Sequence, residues 1–414
     1  MKTTILNNYK LLTLFSIFTP FAIIIGSAVA NFFLLLSIIT FLFIDIKNYK
    51  YFYNKFDNFS KILALFFLYI LVTSFFVENN FYSFKKAFFY LKFFFFFIAI
   101  KVCVEKNINF FDIFYKFFLP IFLIVLLDGL IQAAFTFNSI GIIRTSSRVS
   151  GFFGDEWILG TFVYHLSPIA LLSVLFYKNI SNLIKYIYFS LIICLSILTI
   201  YLSGERTIFF ISTIYFILVV SFIFSLKKKI SILFFILFIL SFVSLAENFS
   251  ARIFKSFNFS VIHQADQKKY STFTVYKDLY GTAYKMFLDK KLFGTGVQSF
   301  RIKCLDKKFN TNKFGCSTHP HNYYFQVLGE NGIIGFLIFL SIILFLLKDF
   351  VFLFLKWLKN KKDYKNLGLM IILVNIIISF TPIVPTGNIY SSVSGLFIFF
   401  KLAIYFGLKL KKPD

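Results

Sequence analysis

Twelve runs of apolar residues leave this chain few ways to fold. They lie at 11–27, 30–46, 61–77, 86–104, 114–137, 158–177, 184–202, 207–226, 230–247, 332–348, 367–384 and 389–408. Each is about as long as the 17–25 residues that carry a helix across a bilayer. Inside the hydrocarbon every backbone polar group must be satisfied within the chain, which a helix does by itself. The chain is 59% hydrophobic with a mean hydropathy of +0.81, which excludes a water-soluble domain. The expected fold is an all-α, multi-pass integral membrane protein with twelve transmembrane helices.

Lysines set the expected orientation. They recur at Lys2 and Lys10, Lys47 to Lys55, Lys106, Lys178, Lys227 to Lys229, Lys356 to Lys365 and Lys411–Lys412, in every second connection. The turns at 26–31 and 384–388 have none. Because lysine favours the cytoplasmic side, both termini are expected there, and the long polar connection at 248–331 is expected outside. This divides the chain into nine spans over 1–247, an outer loop over 248–331 and three spans over 332–414. The start of the chain imitates a signal peptide, with Ala28-Val29-Ala30 after an apolar run. Asn31-Phe32 opens another apolar run at once, so an uncleaved hairpin is the reading. The net charge of +25 accompanies 67 phenylalanines and a general lysine excess, a compositional bias. No basic stretch outside the spans is interleaved with stacking aromatics, so nucleic acid is rejected as a partner.

Of 43 lysines and arginines only five are arginine: Arg144, Arg148, Arg206, Arg252 and Arg301. A lysine-biased chain keeps arginine where a planar, bidentate, permanently charged group is needed. All five fall on the expected outer side, against the positive-inside tendency. The histidines follow: His263, His319 and His321 lie in the large loop, and His165 in the outer half of a span. Asp128 also lies within a span, where an ionisable side chain marks a candidate site. Structure and function stay open for His165 and Asp128, each satisfied by neighbouring helices or the two by each other.

The large loop carries helical apolar spacing from Ser271 to Leu288, then a glycine-bearing break at 290–296, then a short helix expected from Pro320 to Leu328. Gly329 and Gly332 hinge that helix into the next span. Cys304 and Cys316 are a disulfide in an oxidising compartment and free thiols otherwise. His319 and His321 admit three readings: surface caps, zinc ligands completed by Cys316 and Glu330, or proton-transfer groups near neutral pH.

Three motifs occur in order. The first is Arg144-Thr145-Ser146-Ser147-Arg148-Val149-Ser150-Gly151-Phe152-Phe153-Gly154-Asp155-Glu156, running into Leu159-Gly160. The second is Ser203-Gly204-Glu205-Arg206-Thr207, a turn either merely structural, with Arg206 paired to Glu205, or an anion site. The third runs from His319-Pro320-His321-Asn322-Tyr323 to Glu330-Asn331-Gly332-Ile333-Ile334-Gly335. Together they resemble the O-antigen ligase and O-antigen polymerase superfamily over about residues 140–400. Lys291-Leu292 departs from that family's pattern, where a proline is common.

The resemblance implies a C-type glycosyltransferase-like membrane fold in the inner membrane. It implies transfer of a glycan from an undecaprenyl-pyrophosphate donor to a sugar hydroxyl at the periplasmic face, with no cofactor and no metal. The acceptor would be lipid A-core in a ligase, or another lipid-linked glycan in a polymerase, and ligase is the reading adopted. By matched motif, Arg206 with Arg148 or Arg144 would hold pyrophosphate, and His321 would be the general base. His319 would assist, Glu330 would orient a histidine, and Asn322, Asp128 and His165 would support the site. Arg252 and Arg301 match nothing in the pattern. A lipid-linked glycan flippase is the rival, and it predicts polar groups at the bilayer midplane.

Overall fold

A computed structural model describes residues 2–45, 56–78, 80–144, 148–224, 260–262, 269–310, 312–361 and 363–412. The span expected at 230–247, together with His263 and Arg252, lies outside the described residues. The remaining eleven expected spans each coincide with a helix. These are α1 Lys2–Phe21, α2 Ser27–Asp45, α3 Asn58–Phe76, α4 Asn80–Lys106, α5 Phe110–Phe135, α6 Leu159–Phe176, α7 Asn182–Ser203 and α8 Arg206–Ile223. After α9, Thr272–Asp289, come α10 Tyr323–Lys359, α11 Tyr364–Ser379 and α12 Ser392–Leu410. Among the described residues nine helices are long and apolar enough to cross a membrane, and two more are shorter apolar helices. The fold is an all-α, multi-pass membrane architecture. Among the described residues the one strand pair is a two-stranded antiparallel hairpin in the loop, β1 Ser260–Ile262 with β2 Lys269–Ser271.

The core explains the phenylalanine load. Phe59 stacks on Phe406 with ring centroids 4.0 Å apart, and Phe93 on Phe399 at 5.8 Å, locking α12 against α3 and α4. Phe88 and Phe89 are exposed, as suits a surface turned to lipid. Glycine permits the closest helix approaches. A Cβ on Gly407 would sit 2.6 Å from the Lys101 carbonyl oxygen of α4.

The loop has its own small core. Leu279, Ala283 and Met286 of α9 bury against Phe300, Cys304 and Phe309. This is the apolar stripe expected over Ser271–Leu288, and it faces α10 and the loop. The short helix preceding the span begins at Tyr323 rather than at Pro320. Asn322 supplies the reason: its Oδ1 accepts the N–H groups of Tyr324 at 2.9 Å and Phe325 at 3.3 Å, a better N-cap than proline provides. The hinge at Gly332 is present, with φ of 64° in the middle of α10. A side chain there would place its Cβ 2.4 Å from the Leu292 carbonyl oxygen.

Candidate functional site

The site is assembled at one end of the bundle, where α6 and α8 begin and α7 ends. Two side chains of α5 anchor its first segment. The buried Asp128 accepts the Ser139 N–H at 2.9 Å, the Ser139 hydroxyl at 2.5 Å and the Asn138 amide at 3.2 Å. Gln132 Oε1 accepts the N–H groups of Ser150 and Gly151, both at 2.8 Å. Asp128 therefore holds the connection that carries Arg144 and Arg148, and it is not paired with His165. His165 Nδ1 instead lies 2.8 Å from the ammonium of Lys401, which also donates to Asn375 Oδ1 at 2.6 Å and Ser379 Oγ at 3.0 Å.

The second segment is clamped onto the first. Glu205 Oε1 accepts the Gly160 N–H at 2.6 Å, and Glu205 Oε2 accepts the Thr161 hydroxyl at 2.5 Å. A carboxylate here satisfies the N-terminal donors of α6 and complements its dipole. The expected structural alternative, Glu205 paired to Arg206, is therefore replaced by a cap. Only glycine fits at position 160, where a Cβ would meet Ser203 Oγ at 2.4 Å. Gly204, with φ of +69°, closes α7, and the Arg148 side chain crosses it, its Cγ 3.1 Å from where a Cβ would be. The Arg148 guanidinium then stacks over Trp157 at 5.1 Å. Arg206, the first residue of α8, is exposed beside it, and the positive charge of Arg148 acts on both Glu205 and Arg206.

The third segment closes the site from the loop. Tyr276 of α9 is the electrostatic neighbour of Arg206; burial raises its phenol above the usual range, with the guanidinium opposing. Its ring meets His321 edge-on at 6.0 Å, and the His319 and His321 rings are 4.0 Å apart. Arg148 thus acts electrostatically on Arg206 and Arg206 on Tyr276, while ring contacts join Tyr276 to His321 and His321 to His319. His321 has a left-handed φ of 57°, and its carbonyl accepts the Thr386 N–H at 2.8 Å. Such a conformation persists only when its surroundings fix it. Here Asn322 also donates to the Pro382 carbonyl at 2.8 Å, and Cys304 is joined to Cys316 with Cα atoms 4.9 Å apart.

The two histidines are not equivalent. Burial, the neighbouring His321 and Arg301 together push the His319 imidazole down to about 3, with the Thr386 backbone partly opposing. Burial also lowers His321 below 6.5, again opposed by Thr386. His319 Nδ1 sits 2.9 Å from the Thr318 hydroxyl. Its Nε2 is buried without a partner, as are Thr386 Oγ1 and Arg144 Nη1.

Glu330 does not reach a histidine. Its carboxylate accepts the N–H groups of Gln298 and Phe300, each at 3.0 Å, and the Gln326 amide at 3.3 Å. With Cys316 in a disulfide and Glu330 so engaged, the third ligand of the zinc alternative is missing. No group of three His, Cys, Asp or Glu side chains converges among the described residues. Replacing Glu330 with alanine is expected to leave two buried N–H groups unpaired, costing about 1–3 kcal/mol each. A lower melting temperature of the purified protein checks this.

The sequence reading missed four residues around these elements. Arg301 was left unplaced, yet it lies on the four-residue helix Phe300–Lys303, between the Glu330 clamp and the disulfide, and its charge acts on His319. Tyr276 was read only as part of an apolar stripe. Thr386 lies in a turn singled out only for lacking lysine. Lys401 is a lone lysine in an apolar run, and that isolation is its signal.

Residues 190–340 match the O-antigen ligase family model. Over this stretch the chain is similar to the O-antigen ligase and polymerase superfamily. The matched stretch contains the Arg206 turn, α9, both site histidines and Gly332, and it is narrower than the 140–400 expected. The Arg148 segment lies outside it and joins the ligase-family domain through the contact with Gly204. The match supports, in general terms, a membrane glycosyltransferase of the O-antigen ligase and polymerase type. No curated protein matches the chain.

Proposed function

We propose that this protein transfers a glycan from an undecaprenyl-pyrophosphate donor to a sugar hydroxyl, with lipid A-core as acceptor, at the periplasmic face of the bacterial inner membrane. The observation that supports this reading is the Tyr276–His321 ring contact, with Arg206 acting electrostatically on Tyr276 and Arg148 on Arg206. It puts two guanidiniums and a neutral imidazole at one end of an apolar bundle, where a lipid-linked pyrophosphate would present its sugar.

The roles follow from the chemistry. Arg206 and Arg148 hold the pyrophosphate and take up the charge that develops as it leaves. Arg144, whose Nη1 is buried without a partner, lies on the same connection as Arg148 and is the second candidate there. His321 removes the proton of the acceptor hydroxyl as that oxygen attacks the anomeric carbon. One bond forms and the sugar–phosphate bond breaks, so the configuration inverts. His319, neutral at every physiological pH, serves as a hydrogen-bonding group for the acceptor. Glu330 and Asn322 position the loop, and Asp128 positions the arginine segment. His165 lies with Lys401 inside the bundle, outside this chemistry.

Because burial lowers His321, the base stays unprotonated at neutral pH, and the acid limb of the transfer rate is expected below pH 6.5. His319→Asn should lower the rate while leaving that limb in place, whereas a limb that vanished with His319 would reassign the base. Deleting the gene and resolving the cell's lipopolysaccharide on a gel separates acceptors. Loss of all polymer with accumulation of lipid-linked chains is expected of a ligase. A single repeat left on the core would instead mark a polymerase.

A further inference from the structure

The end of the bundle opposite His321 holds two adjoining cavities that the transfer chemistry does not use. The distance follows from α6, whose first turn is capped by Glu205 and whose last residue, Phe176, lines one cavity. Eighteen residues separate the two ends by about 27 Å. The larger cavity, about 470 Å³, is edged by Lys178, Lys365, Lys411 and Lys412. The second, about 400 Å³, is edged by Lys10 and Lys116. Asn109 and Asp112 line both, so six lysines face one carboxylate.

Positive charge on these connections orients a multi-pass protein and needs no cavity. The arrangement goes further than that. The lysines come from five segments of the chain and edge two cavities that share Asn109 and Asp112 and have apolar side chains in their walls. Two of them fix the shape. Lys411 Nζ donates to the carbonyls of Asn107 at 3.0 Å and Ile108 at 3.3 Å, and Lys365 Nζ to that of Lys409 at 3.2 Å. Phe176 and Leu408 wall the larger cavity. In the smaller one, Leu14 lies one turn along α1 from Lys10, about 6 Å deeper. Phe117, half exposed, follows Lys116 directly. Charge at the rim and hydrocarbon one turn below match an amphiphile with an anionic head.

We propose that these cavities bind a phosphate group carried on a membrane lipid, with the phosphate among the lysines and an acyl chain along Leu14 and Phe117. Basic pockets between helix ends take anionic head groups in this way. The test uses the purified full chain in nanodiscs and in detergent, read by native mass spectrometry and melting temperature. Phosphatidylglycerol and phosphatidylcholine are compared as lipids, and inorganic phosphate as competitor. Phosphatidylglycerol is expected to be retained over phosphatidylcholine by about tenfold. The combined variant Lys10→Gln, Lys116→Gln, Lys178→Gln, Lys412→Gln should lose that preference. Lys359→Gln with Lys361→Gln, at the same end but outside the cavities, should keep it. Competition by millimolar inorganic phosphate would support the phosphate site and overturn its lipid source. Equal retention of both lipids, or equal loss of preference in the two variants, would overturn the site.

Discussion

His321→Ala lowers glycan transfer by about 10²–10⁴-fold, the range that a positioned general base contributes. The expectation rests on position more than on residue type. His321 is held in a left-handed backbone by the Thr386 contact, with its ring against those of Tyr276 and His319. His319 cannot take over, because its surroundings hold it near a pKa of about 3, where it is a poor proton acceptor. Initial rates on membranes carrying equal amounts of each protein check this. A His321→Ala rate within a few-fold of wild type would remove the base from the account.

Arg206→Lys keeps the charge and is still expected to cost about 10²-fold, the loss seen when a transition-state donor is removed. Lysine presents a point charge, whereas the fork of arginine binds two pyrophosphate oxygens at once. Arg206 forms no ion pair among the described residues that would make it structural, and its neighbour Glu205 is consumed by the α6 cap. The substitution should therefore leave the melting temperature unchanged while the rate falls. A rate that recovered fully with lysine would mean that Arg206 supplies only a diffuse field.

Much of this was legible in the sequence, for identifiable reasons. Hydrophobic length alone placed eleven helices, with bounds off by nine to eleven residues at the first helix's start and at both ends of Tyr323–Lys359, because the bilayer penalises any other backbone. The loop helix at Thr272–Asp289 was readable from apolar spacing, and Gly332 from its place before a span. Arginine scarcity pointed to Arg148 and Arg206 because lysine bias makes each retained arginine informative. What stayed hidden depends on which partner a side chain meets. Glu330 reads as a histidine-orienting group or zinc ligand and Glu205 as an ion-pair partner of Arg206, yet both carboxylates are spent on backbone N–H groups of distant segments. Asp128 and His165 sit at similar depths and still choose different partners, Ser139 and Lys401. Arg301 gains a neighbour only when Glu330 fixes Phe300 and Cys304 meets Cys316. No local pattern encodes those long-range pairings.

The central claim is that this end of the bundle makes a glycosidic bond with pyrophosphate as the leaving group. The most direct measurement reconstitutes the purified protein with a labelled undecaprenyl-pyrophosphate glycan and lipid A-core, and follows both products. The account predicts one lipid pyrophosphate released per glycan transferred, an inverted anomeric linkage, and loss of both signals in His321→Ala and Arg206→Lys. Movement of the lipid-linked glycan across the bilayer with no new linkage would contradict it, as would undiminished transfer in both variants.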